Sequence, residues 1–165
     1  MRIPIVDELD NILFYKDSSE RDVHKEITRI SALWVRNEKG EFFIAKRSKN
    51  KKHYPNIWGL SVAGSVEEGE TYEENIKKEA KEEIGFNLSK VILGPKKRVS
   101  GSHEYFCQYF FAKITSDTIF HLQESEVDEV RWVSLLKLRD WCLKNPEKFV
   151  PTFMKNIDVI KNYDN

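Results

Sequence analysis

A mixed β-sheet packed between α-helices, an α/β fold, is the architecture that three features of this 165-residue chain predict. Residues 27–36 are apolar and β-rich, and they meet residues 41–47 across Asn37-Glu-Lys-Gly40, a hairpin signal because glycine tolerates positive φ. Thr71 followed three residues later by Glu74 has the form of a capping box, and Gly85 supplies a stop, so a helix is bracketed between Tyr72 and Ile84. Strand-like and helix-like stretches then alternate through the rest of the chain.

From the amino terminus, residues 11–15 read as a short edge strand ahead of a polar connector, 16–22. After the 27–47 hairpin, residues 58–63 form a short strand that leads straight into a loop rich in glycine and glutamate. Within the helix, Tyr72, Ile76, Ala80 and Ile84 recur every four residues and form an apolar stripe that faces a core. Strands are expected next at 91–93, at 105–114 (long and aromatic), at 119–122 and at 130–133. Ser134 is placed to cap a helix over Leu135–Lys144, and Pro151 to open a final one running through Ile160. One domain over residues 1–165 is expected, with its core at about 27–145, an N-terminal edge strand within 1–26 and a C-terminal helix at 151–162.

Lysine and arginine together number 27, and so do aspartate and glutamate, so no bulk field recruits nucleic acid or a membrane. No nucleic-acid module is visible. There is no long apolar run and no signal pattern at Met1-Arg2-Ile3-Pro4, which points to the cytoplasm. Cys107 and Cys142 read as small buried hydrophobes of a reducing compartment rather than as a disulfide.

The chemistry is concentrated on the helix. At about 100° per residue, Glu79, Glu82 and Glu83 fall within an arc of roughly 100° beside the apolar stripe. Like charges at that spacing repel. Two readings follow: a divalent cation offsets the repulsion, since hard cations such as magnesium prefer carboxylate oxygens, or the face is simply solvated.

The stretch that begins Gly64-Ser-Val-Glu-Glu-Gly-Glu70 and ends Lys78-Glu79-Ala80-Lys-Glu82-Glu83-Ile84-Gly85-Phe86 resembles the Nudix hydrolase signature, G-x5-E-x7-R-E-U-x-E-E-x-G-U, where U is a bulky aliphatic residue. Gly64, Glu70, Glu79, Glu82, Glu83 and Gly85 match in register. Lys78 stands in place of the arginine, Ala80 is small for its slot and Phe86 is aromatic. Lys78 keeps the charge but not the planar fork that grips a carboxylate with two hydrogen bonds. The segments Phe42-Phe-Ile-Ala-Lys-Arg47-Ser48, Pro55-Asn-Ile-Trp58-Gly-Leu-Ser61 and Glu129-Val-Arg131-Trp132-Val133-Ser134 are similar to the group that includes isopentenyl diphosphate isomerases. That group's chemistry uses a cysteine where this chain has Ala63, and metal-binding histidines where it has Ser65 and, upstream, Thr28. Methyl and hydroxyl groups replace neither thiolate nor imidazole, so isomerase activity is not expected.

The resemblance implies a Nudix-type α/β/α sandwich in which the motif forms loop–helix–loop. It implies that Glu79 and Glu83 are the principal ligands of Mg²⁺ or Mn²⁺, with the Gly64 carbonyl completing the inner shell and Glu82 binding a second ion or acting through water. Glu70 would orient the helix or a ligating water with Lys78 as ionic partner, or the two form only a structural pair. A further carboxylate from a distal loop is expected as base or ligand. Glu126 is the first choice over Glu124 and Glu129, with Glu104 beside His103 as another candidate.

Lys46, Arg47, Lys49, Lys51, Lys52 and His53 form a basic stretch that either holds phosphates or is a solvated loop. Arg47 and Arg29 occupy family-like positions for substrate phosphate. Trp34, Trp58, Tyr105 and Phe106 either stack a base or fill the core. The expected activity is metal-dependent hydrolysis of the diphosphate bond in a nucleoside diphosphate linked to another moiety. The alternatives are an isomerase-like protein and a catalytically silent nucleotide-binding Nudix module. A homodimer is a further expectation, because relatives often form one.

Overall fold

The chain was analysed as a computed structural model that describes residues 1–161. The strands expected at 27–36 and 41–47 are β3 (Thr28–Arg36) and β4 (Glu41–Arg47). They are preceded by β1 (Arg2–Val6) and β2 (Ile12–Asp17) and followed by β5 (Trp58–Gly59) and β6 (Val62–Ser65). Helix α1 (Tyr72–Ile84) leads to β7 (Ile92–Val99), β8 (Tyr105–Lys113) and β9 (Val127–Ser134), and the chain closes with α2 (Leu135–Lys144) and α3 (Phe153–Ile160). Strands β1 and β2 pair with each other, while the other seven form one mixed sheet in the order β5-β4-β3-β8-β7, with β6 on β3 and β9 on β4.

The turn between β3 and β4 is closed by Asn37, whose side-chain oxygen accepts the amides of Lys39 at 3.0 Å and Glu41 at 2.9 Å. Gly40 takes the positive φ (+77°) that the turn requires. From that end β3 and β4 pair only at Val35–Phe43 and Arg36–Phe42. They then part: residues 30–33 of β3 pair with β6 and Ala45 and Lys46 of β4 pair with β5, while β9 runs along β4 throughout. Buried Ser61 stands in the fork. Its hydroxyl donates to the Phe43 carbonyl at 2.6 Å and accepts the Val35 amide at 3.0 Å, so neither strand is left with an orphaned polar group where the ladder ends.

Alternation along the central strands builds two cores, one on each face of the sheet. Leu33, Val35, Phe43 and Val62 pack against the Ile76, Ala80 and Ile84 stripe of α1. Ala32, Trp34, Phe42 and Ile44 face the other way, onto Leu138 and Cys142 of α2 and Phe153 and Ile157 of α3. Both cysteines are free and buried.

Six expectations need correction. The edge strand at 11–15 is longer and is half of a hairpin whose first strand, β1, sequence patterning passed over because Pro4 interrupts it. The strand expected at 58–63 is split in two by Leu60 and Ser61 at the fork. The strand at 91–93 runs on to Val99, past Pro95 and an irregularity in register between Leu93 and Lys96, as the edge position of β7 permits. Residues 119–122 form no strand; the His121 amide instead serves helix α1, as described below. The C-terminal helix expected at 151–162 begins at Phe153, and residue 162 lies outside the described residues. Ser134 precedes α2 without a side-chain cap bond.

Phe153 is 1% exposed and lies 4.7 Å from Phe149 and 5.8 Å from Trp34, centroid to centroid. Phe153→Ala is expected to destabilise the protein by about 3–5 kcal/mol, read from the shift of the urea unfolding midpoint at constant m.

Candidate active site

Helix α1 is held at both ends by local chemistry. Thr71 accepts the Glu74 amide at 3.2 Å while Glu74 accepts the Thr71 amide at 2.8 Å, which completes the capping box. Gly85 ends the helix at φ +65°. Packing the apolar stripe on the sheet then presses the neighbouring carboxylate face onto β6. A Cβ built on Gly64 would fall within the Glu79 carboxyl group, so only glycine allows this approach.

Burial pushes the Glu79 carboxyl up to about 7, with nearby Lys78 opposing and Glu82 adding to the rise. Burial also pushes Glu83 up, to about 8, reinforced by the charges of Glu79 and Glu126 and opposed by Lys51 and Arg47. Glu82 is exposed. Among the described residues no three His, Cys, Asp or Glu side chains converge into a closed ligand cluster. Half-buried like charges repel rather than converge. The donor set nevertheless fits a hard divalent ion in kind: carboxylate oxygens short of positive charge, beside a glycine with no side chain to obstruct its backbone.

Lys78 lies 2.6 Å from Glu67 and 2.6 Å from Glu70, which raises its pKa although burial works against it. The other Glu70 oxygen accepts the Glu67 amide at 3.0 Å and the Asn75 side chain at 2.9 Å. Burial pushes Glu70 upward, but these bonds outweigh it and hold the carboxyl below its ordinary value. Fully buried Asn75 was not singled out in the sequence. Its amide nitrogen also donates to the Ser65 carbonyl at 3.0 Å and reaches Glu79 at 3.4 Å, and its oxygen accepts the Ser31 hydroxyl. The available signal was its place one helical turn before Glu79, on the same face.

The distal carboxylate arrives on the loop that sequence patterning took for a strand. The His121 amide donates to the Ile84 carbonyl and the Gln123 amide to the Glu83 carbonyl, each at 3.0 Å, so the loop caps the end of α1. Gly85 is required here a second time, since a Cβ there would lie 2.7 Å from His121. Glu126, three residues beyond Gln123, is thereby delivered beside Glu83, with its carboxylate paired to Lys51. Both line a cavity of about 210 Å³ at the fork of β3 and β4, together with Arg47, Ala63, Cys107 and Tyr105. The Arg47 guanidinium donates to the carbonyls of His53 at 3.0 Å and Tyr54 at 3.2 Å.

Other candidates are held elsewhere. Ile30 lines the cavity, so Arg29, one residue earlier on the strand, points to the opposite face. There it pairs with Asp10 at 2.7 Å, 5.3 Å from the Tyr72 ring. Glu104 accepts the Gly101 amide at 2.9 Å and the Ser100 hydroxyl at 2.8 Å and pairs with Arg98 at 2.5 Å. These contacts hold its carboxyl down at about 2 and engage both oxygens, which removes it from consideration as a base. Glu129 pairs with Arg131 at 2.6 Å, and Glu124 is exposed. Trp34, Trp58 and Phe106 are core residues; of the four aromatics considered for stacking, Tyr105 reaches the cavity. Lys49, Lys52 and His53 are exposed.

Residues 26–153 match the family model described as the NUDIX domain. This chain belongs to the Nudix hydrolase family. It is 36% identical over 135 residues to an uncharacterised Nudix hydrolase of Listeria innocua, covering 79% of this chain and 76% of that protein. It is also similar to an isopentenyl-diphosphate Delta-isomerase of Klebsiella pneumoniae, at 25% identity over 130 residues, 73% of this chain and 68% of the relative. The crystal structure of DR0079 from Deinococcus radiodurans superposes with a TM-score of 0.81 at 22% identity, over 96% of this chain and 98% of that one, which establishes the shared fold. Nudix hydrolases generally use divalent metals. No helix among the described residues is long and apolar enough to cross a membrane.

Two outcomes are expected from this geometry. Gly64→Ala displaces the Glu79 side chain and should lower kcat by about 100-fold, while the flexible end of that side chain absorbs the clash and the melting temperature stays near wild type. The carboxyl of Glu104 sits at about 2 against an ordinary 4.5, so its contribution to stability is present above pH 4.5 and is lost as pH falls from there toward 2. Glu104→Gln should therefore be less stable than wild type at pH 7, with the difference shrinking across that acid range in parallel denaturation curves.

Proposed function

We propose that the chain hydrolyses the diphosphate bond of a nucleoside diphosphate linked to another moiety, with Mg²⁺ or Mn²⁺ held by Glu79, Glu82, Glu83 and the Gly64 carbonyl. The observation that carries this reading is the meeting, in one cavity, of Glu83 from the motif helix, Glu126 from the distal loop and the Arg47 guanidinium. The ion's contribution when bound is to neutralise diphosphate oxygens and to acidify a coordinated water.

The remaining work falls to the chain's own side chains. Glu126 is the group placed to accept the proton of the attacking water, whose oxygen forms the new bond to phosphorus as the bridging phosphorus–oxygen bond breaks. Lys51, which pairs with Glu126, and Arg47, which lines the same cavity, supply positive charge for the anionic substrate. Asn75 and the Glu70–Lys78 pair hold the loop and helix in their mutual position. At the two positions where the isomerase group uses a cysteine and a histidine this chain has Ala63, whose methyl lines the cavity, and Ser65, which favours hydrolysis over proton transfer at carbon.

The test is product release from a panel of nucleoside diphosphate derivatives, with Mg²⁺ and then with excess chelator. Turnover should vanish on chelation. Glu83→Gln should lower it by at least about 100-fold, and Glu126→Gln by about 10²- to 10⁴-fold. Undiminished turnover in chelator, or in Glu83→Gln, would overturn the assignment, and nucleotide binding without turnover would make the protein a silent module.

A further inference from the structure

A second cavity, of about 460 Å³, shares Ile30, Tyr54, Tyr105, Val150 and Thr152 with the one that holds Glu83 and Glu126. Its distinctive lining comes from three separate parts of the chain: Arg21 ahead of β3, His103 in the loop before β8, and Lys155 on α3. Among the described residues that line it there is no aspartate or glutamate.

Arg21 is the decisive side chain. Its Nε is buried with no hydrogen-bond partner, and its Nη2 donates to a neutral acceptor, the Glu104 carbonyl, at 3.2 Å. Burial draws its pKa down, and the charge that draws it back up belongs to Glu26. Glu26 is itself engaged by Lys16 at 2.7 Å and the Asp22 amide at 2.8 Å. The nearby Glu104 carboxylate is committed to Arg98, Ser100 and Gly101. Burial lowers the His103 pKa too, and the positive charges of Arg21, His53 and His24 push it the same way. This is a field of donors without a matching acceptor. A guanidinium whose charge no carboxylate of the chamber answers gains most from an anion with several acceptor oxygens, such as a phosphate.

We propose that this second chamber receives a phosphoryl group carried at one end of the substrate, beyond the scissile diphosphate. The inference rests on the hydrolase reading above and narrows it. The preferred substrate is a nucleoside diphosphate derivative bearing an additional terminal phosphate, with its middle portion lying along the shared wall of Ile30, Val150, Tyr54 and Tyr105.

Binding to metal-free protein tests the chamber independently of turnover, so its failure is distinguishable from failure of the hydrolase assignment. Calorimetry would compare two matched pairs, NADPH with NADH and coenzyme A with 3′-dephospho-coenzyme A, and would also titrate inorganic phosphate alone. In wild type, at least one phosphorylated member should bind about tenfold or more tightly than its partner, and Arg21→Met should bring that ratio close to one. Lys155→Met, at an exposed position on a different element, should reduce the same ratio and covers the case in which Arg21→Met does not fold. Ratios near one for both pairs in wild type, or ratios unchanged in the variants, would overturn the proposal. Inorganic phosphate that binds and is lost in the variants, without discrimination within either pair, would also overturn it, since the chamber would then hold a free anion rather than part of a substrate.

Discussion

The Glu79 carboxyl can lie against the backbone of β6 only because residue 64 carries no side chain, and that close approach sets the electrostatics around it. The Ile76-Ala80-Ile84 stripe must be on the sheet for Glu79 to reach the Gly64 backbone. Once there, Glu79 and Glu83 lose water without gaining a matching cation from the chain, and burial drives both carboxyls toward neutrality. An arrangement unfavourable in isolation is one that a divalent ion would relieve, which is the charge the proposed function calls for. The site is thus built from a packing decision, and its electrostatics follow from that decision.

The charge distribution supports the same view. Several ion pairs among the described residues are exposed and contribute little, as for Lys144–Asp140 and Lys161–Asp158. Where charge is half-buried, each group has a defined role. Lys78 ties Glu67 and Glu70 together under the motif loop, Asp10 gathers Arg29, Lys96 and Tyr72, and Lys51 steadies Glu126. A chain with no net charge therefore contains sharply polarised regions.

Legibility followed range. The limits of α1 were readable because Thr71, Glu74 and Gly85 act within one turn of the helix ends, and the 37–40 turn was readable for the same reason. The carboxylate face was readable because helical periodicity alone places Glu79 and Glu83 together. What required distant partners was not. Residues 119–122 have strand-like composition, but their neighbourhood offers free helix carbonyls rather than a ladder. Arg29 looked available until alternation along β3 placed it on the face opposite Ile30. Glu104 resembled a candidate base, yet a tight loop takes one of its oxygens and Arg98 of β7 the other. Asn75 escaped notice because its four partners come from four different segments of sequence.

Ser61 gives the fork a particular property. One hydroxyl answers both the last amide of β3 and the last carbonyl of β4 before they separate, so a slot opens in the middle of a sheet with every hydrogen bond still made. A single oxygen atom thus ties β3 to β4 where Ala32 and Ala45, both walls of the cavity, begin to diverge. That junction belongs to the scaffold, whereas Glu126 reaches the same cavity on a loop outside it.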